Sequence, residues 1–89
     1  ISTGKLNRWL APIIENNPPP LFKGKKNSIR YITQVNVRPP TFAVFMTNPD
    51  NLQNSYKRFL AASIMEDFDL CGLPVRIMYR KGNNPYIEK

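Results

Sequence analysis

Histidine is absent from these 89 residues and cysteine occurs once, as Cys71. That removes Ser-His-Asp and Cys-His arrangements and metal sites built from histidine and several cysteines. A single thiol forms no internal disulfide, so a cytoplasmic origin is expected. Flanked by Leu70 and Gly72, Cys71 is expected as a core thiol. Acidic residues number six, and only Glu66, Asp67 and Asp69 cluster. Neighbouring helical positions diverge by about 100°, so this group suits a solvated helix end better than an acid–base pair. There is no Gly-x-x-x-x-Gly-Lys-Ser/Thr loop for a nucleotide. No apolar run approaches the ~20 residues of a membrane span, and no leader pattern opens the chain. The chain begins with isoleucine, as expected of a piece of a longer protein. No catalytic residue, metal ligand or cofactor site is expected, and the chain is read as a binding module.

Positive charge is abundant. Thirteen Lys and Arg against six acidic residues leave a net +7. Residues 1–49 carry seven positive charges against Glu15 alone, residues 50–69 are net negative, and the end is again basic. Such a field draws polyanions. A membrane surface fits less well, because the lysines do not sit on an amphipathic helix.

The length suits one domain over 1–80, followed by a basic polar tail over 81–89. A helix is expected over 2–16, capped by Ser2 or Thr3, with Leu6, Trp9, Leu10, Ile13 and Ile14 as its apolar stripe. Pro12 inside it should kink the helix or split it. Asn17-Pro18-Pro19-Pro20 ends it and leads into a stiff connector. Strict alternation predicts a strand over 29–37, with Ile29, Tyr31, Thr33, Val35 and Val37 inward and Arg30, Ile32, Gln34 and Asn36 outward. After Arg38-Pro39-Pro40 comes a strand over 41–47, apolar on both faces. A helix over 50–68 follows, with Leu52, Tyr56, Phe59, Leu60, Ile64 and Phe68 on one stripe and Gly72 as its left-handed terminator. The last strand, 74–80, turns Val75, Ile77 and Tyr79 inward and Arg76, Met78 and Arg80 outward.

The fold class is therefore α+β, an α-β-β-α-β two-layer sandwich with both helices on one face of a three-stranded sheet. Lys23, Lys25 and Lys26 in the first loop can neutralise phosphates. Arg30, Arg38, Arg76 and Arg80 would share the open sheet face if the third strand lay beside the first, with Lys81 next in line. Arginines so placed can pair with phosphate or stack on bases. Ile32, Gln34 and Met78, apolar or neutral and outward, favour instead a protein-docking face.

The element order resembles KH-type RNA-binding folds. It lacks their Gly-x-x-Gly clamp, since the four glycines stand at 4, 24, 72 and 82. A closer resemblance lies in Leu6-Asn7-Arg8-Trp9-Leu10, Asn17-Pro18-Pro19-Pro20, Tyr31-Ile32-Thr33-Gln34-Val35 and Arg38-Pro39-Pro40-Thr41-Phe42. Ser55-Tyr56 with Phe59-Leu60 and Leu73-Pro74-Val75-Arg76-Ile77 add to it. From Ser2 to Arg80 the chain is similar to the C-terminal KH-like domain of the bacterial Der (EngA) GTPases. That resemblance implies two GTPase domains, with GTP and magnesium, outside this chain. It also implies a role in ribosome biogenesis at the large subunit, with ribosomal RNA and the protein's own GTPase domains as partners and the isolated domain a monomer. Pro12 and Gln53 depart from the family's usual residues. An intramolecular docking and regulatory module that senses nucleotide state without touching RNA is the alternative.

Overall fold

A computed structural model of the chain describes residues 1–21 and 23–82, so the expected tail lies outside the described residues from position 83. The elements run α1 (Thr3–Asn16), β1 (Ile29–Asn36), β2 (Thr41–Met46), a 3-10 turn (Pro49–Asn51), α2 (Asn54–Asp67) and β3 (Arg76–Lys81). The expected α-β-β-α-β order holds, with α2 starting later than anticipated because the 3-10 turn precedes it.

Ser2 caps α1 by accepting the Lys5 amide at 3.2 Å. Leu6 and Leu10 are buried on its inner stripe. The helix runs through Pro12 as one element, so of the two expected outcomes, a kink or a split, the split does not occur. Arg8 and Pro12 both lie on its exposed side, where water can take the carbonyl left without a partner. At the end of α2 the left-handed residue is Asp69, at φ 57°, and not Gly72. The Leu70 amide then returns to the Met65 carbonyl at 2.7 Å and closes the helix. Gly72, at φ 89°, serves the next turn, in which the Leu73 amide bonds the Leu70 carbonyl. Cys71 sits on that turn and is exposed, not a core thiol, its Sγ 3.7 Å from the Met65 carbonyl.

The strands lie in the order β1-β2-β3, antiparallel then parallel. A parallel neighbour needs a crossover, and the 3-10 turn with α2 supplies it. In β1, Ile29 pairs with Met46 but Tyr31 with Phe45, so Arg30 is one extra residue, a β-bulge. This bulge and a second register shift, between Gln34 and Asn36, break the alternation read from the sequence. Ile29 and Ile32 both face the helices, and Ile32 is only 2% exposed, correcting its expected outward position. Val35 and Val37, expected inward, are 51% and 68% exposed. Tyr31 and Thr33 are buried, as expected, but on the sheet's other face, in register with Phe45 and Ala43.

The core gathers Leu6 and Leu10 of α1, Tyr56, Leu60 and Ile64 of α2, and Phe42, Val44 and Met46 of β2. Ile77 and Tyr79 pack against it from β3, as expected. The two helices also meet through Trp9, whose ring stands edge-on to Phe68 at 5.5 Å and whose Nε1 donates to Asp67 at 2.7 Å.

Candidate nucleic-acid interface

β2 separates β1 from β3, so the condition for one shared arginine face is not met. Arg76 pairs with Thr41 at one end of the sheet. Arg30 stands beside Ile29, which pairs with Met46 at the other end. The cations instead form two groups, at opposite ends of the strands.

At the first end, Arg30 and Lys81 line one cavity of about 170 Å³ with Met46 and Thr47. Lys81 also lines a neighbouring cleft of about 390 Å³ with Arg80, Asn48, Asp50 and Asn51. The lysine loop is fastened to this same end. Asn27 holds the Asn48 backbone by two hydrogen bonds, of 3.0 and 3.1 Å. The Ser28 amide donates to the Thr47 hydroxyl at 2.7 Å, and that hydroxyl donates back to the Ser28 carbonyl. Lys25 and Lys26, just before Asn27, are exposed. Lys23 starts the loop in a left-handed conformation at φ 51°. Arg30, Lys25, Lys26, Arg80 and Lys81 have no carboxylate partner among the described residues. Among the described residues the Arg80 guanidinium reaches only the Met78 sulfur, at 3.6 Å.

At the second end, Arg38 borders a cavity of about 490 Å³ formed by Ile1, Val37, Pro39, Pro40, Leu70 and Leu73. Arg76 is anchored close by, its amide bonded to the Pro40 carbonyl at 2.9 Å. This end is apolar with a basic margin: Val37 and Leu73 are 68% and 48% exposed.

Ile32, Gln34 and Met78 do not form one surface. Ile32 is in the core; Gln34 accepts the N-terminal ammonium at 2.6 Å at the edge of β1. Met78 is in register with Ala43, on the face away from the helices. Sequence periodicity misses the cleft residues Asn48, Asp50 and Asn51, which sit in a turn, although Asn48-Pro49-Asp50 is a plain turn signal.

Tyr79 stands at the edge of the cleft with its hydroxyl buried and unpartnered among the described residues. Burial, reinforced by the nearby Tyr56, pushes its phenol up to about 12. Tyr56 is itself raised by burial, and its hydroxyl donates to the Asn17 carbonyl at 2.7 Å. The Lys57 ammonium lies 5.3 Å from the Tyr79 ring centre.

The topology defines the class first: a small α+β domain of KH-like order with no Gly-x-x-Gly loop. The family described as KH-domain-like of EngA bacterial GTPase enzymes, C-terminal, matches residues 1–80, and the chain belongs to it. The chain is 45% identical over 86 residues to the GTPase Der of Mesorhizobium japonicum, covering 97% of this chain and 18% of that protein. It is 44% identical to the GTPase Der of Brucella anthropi, with the same coverage. To that of Hyphomonas neptunium it is 45% identical over 98% of this chain and 17% of the relative. The chain thus spans less than a fifth of these relatives. No helix among the described residues is long and apolar enough to cross a membrane.

Proposed function

We propose that this domain contacts ribosomal RNA through the basic end of its sheet, as an accessory module of a tandem-GTPase factor in large-subunit assembly. One observation carries the reading. Arg30, Arg80 and Lys81 converge with the lysine loop on one end of the sheet, and none of these three is neutralised by a carboxylate among the described residues. Cations left unpaired in this way are suited to phosphates, while their spread favours backbone contact over base readout. On this reading, GTP and magnesium belong to nucleotide-binding domains outside the chain, and the protein works in the bacterial cytoplasm. Titration of the domain with ribosomal RNA at several salt concentrations should give a steep log–log loss of affinity, about 0.7–0.9 per neutralised phosphate. Absence of binding at low salt would sink the reading.

A second reading, docking on the protein's own GTPase domains, is supported by the apolar cavity around Val37 and Leu73 with Arg38 at its margin. Exposed apolar surface with a charged margin suits a protein partner. The two readings use opposite ends of the sheet and can operate together.

A further inference from the structure

We propose that the end of the sheet formed by the C-termini of β2 and β3 holds one unpaired nucleotide, its phosphate between Arg30 and Lys81 and a guanine base in the adjoining cleft against Asp50. This rests on the RNA reading and deepens it by naming a subsite and a base.

The phosphate position follows from register. Ile29, Met46 and Lys81 form one row across the three strands, and the bulge places Arg30 next to Ile29. Two inter-strand spacings, roughly 10 Å, separate the flanking backbones, a span that an arginine and a lysine can close from both sides. Their side chains line the same small cavity over the buried Met46, with no carboxylate partner among the described residues. Two like charges facing one cavity repel until an anion enters.

The base position follows from the neighbouring cleft, which shares Thr47 and Lys81 with the cavity. Thr47 and Arg80 in the cleft are already bonded, to Ser28 and to the Met78 sulfur, but its turn side chains are uncommitted. Asn48 is held through its backbone, while the side chains of Asn48, Asp50 and Asn51 make no hydrogen bond among the described residues. Asp50 is the discriminating group. Its carboxylate only accepts hydrogen bonds, so a group seated against it, in a cleft that Arg80 and Lys81 also line, has to present donors. Guanine alone presents two adjacent donors on its pairing edge, N1–H and N2–H₂. Uracil, cytosine and adenine each set an acceptor beside their donor. The two asparagines can serve the remaining acceptor, O6, and Tyr79 contributes to the wall.

Anisotropy titrations of the 89-residue chain at low salt test this, with pentaribonucleotides of adenosine carrying guanosine, cytidine, uridine or adenosine at the centre. The guanosine pentamer should bind about ten-fold more tightly than the uridine one. Asp50→Asn should abolish that preference without weakening the uridine pentamer. The exposed position of Asp50 keeps this variant folded. Arg30→Ala with Lys81→Ala should weaken all four alike. Side-chain amide resonances of Asn51 should move with guanosine 5′-monophosphate and stay still with inorganic phosphate, which separates nucleotide recognition from simple anion capture. Equal affinities for all pentamers, or a guanine preference surviving in Asp50→Asn, overturns the subsite. If ribosomal RNA still binds in that case, the broader RNA reading stands; no binding of any RNA overturns both.

Discussion

β1 is an edge strand, and at Ile32 both backbone polar groups turn away from β2 toward α1. The Asn7 side chain meets them: its Oδ1 accepts the Ile32 amide at 3.0 Å and its Nδ2 donates to the Ile32 carbonyl at 2.9 Å. A second donation, to the Thr3 carbonyl at 2.8 Å, fixes the amide's orientation. One residue thereby fastens the helix to the sheet and covers an edge that could pair with another chain. Asn7→Ala should cost about 2 kcal/mol in denaturant unfolding, because it leaves partly buried backbone groups unsatisfied. A destabilisation no larger than that of an ordinary surface substitution would show that water replaces the amide. Tyr79 gives the opposite case, a buried hydroxyl with no partner among the described residues. Its phenol is held at about 12 against an ordinary 10.0. The unfolded chain therefore releases this proton first, and between those two pH values it carries fewer protons than the folded chain. Stability from this residue is complete below pH 10 and declines as pH rises toward 12. Tyr79→Phe should remove that part of the alkaline decline and raise stability near neutrality by roughly 1 kcal/mol, as measured by unfolding curves at several pH values.

At the scale of the element, β1 separates what its sequence reveals from what it hides. Nine alternating residues announce a strand, and its observed limits, Ile29–Asn36, fall within one residue of the expectation. The face it buries is not legible. Alternation continues across Arg30, while the backbone inserts an extra residue there that exchanges the faces as far as Gln34, and a second extra residue at Val35. Nothing in the side-chain types at 29–31 signals the bulge, whose cause is the pairing with β2. Ile32→Ala should accordingly cost about 2–4 kcal/mol, as for a core methyl deletion, and Val35→Ala less than about 0.5. Comparable destabilisation at both positions would mean that the unbulged register is populated. In the helices, by contrast, the apolar stripes at Leu6 and Leu10 and at Tyr56, Leu60 and Ile64 are buried as their spacing predicts. Helical periodicity is set within the segment, whereas bulges and strand order depend on distant parts of the chain. The candidate site is hidden for that reason. Its basic residues are visible one by one, but their division between two ends requires knowing that β3 runs parallel to β2 and where it starts and stops.

On the scale of the whole molecule, that division turns a surplus of charge into two distinguishable surfaces. Arg30 and Lys81 belong to the polar end with the lysine loop, Arg38 and Arg76 to the end with the apolar cavity. Reversing either pair to glutamate takes the net charge from +7 to +3, so both double variants weaken the long-range field equally. Any difference between them must then come from local interactions. Arg30→Glu with Lys81→Glu should weaken ribosomal RNA binding more strongly and reduce the salt slope by about 0.7–0.9 for each phosphate no longer neutralised. Arg38→Glu with Arg76→Glu should lower affinity only through the weaker field and leave the slope nearly unchanged. In a full-length relative this second pair should instead alter GTP hydrolysis if the apolar end docks on the GTPase domains. Equal affinities and equal slopes for the two variants would mean that net charge alone draws the RNA, and the assignment of binding to one end would fall.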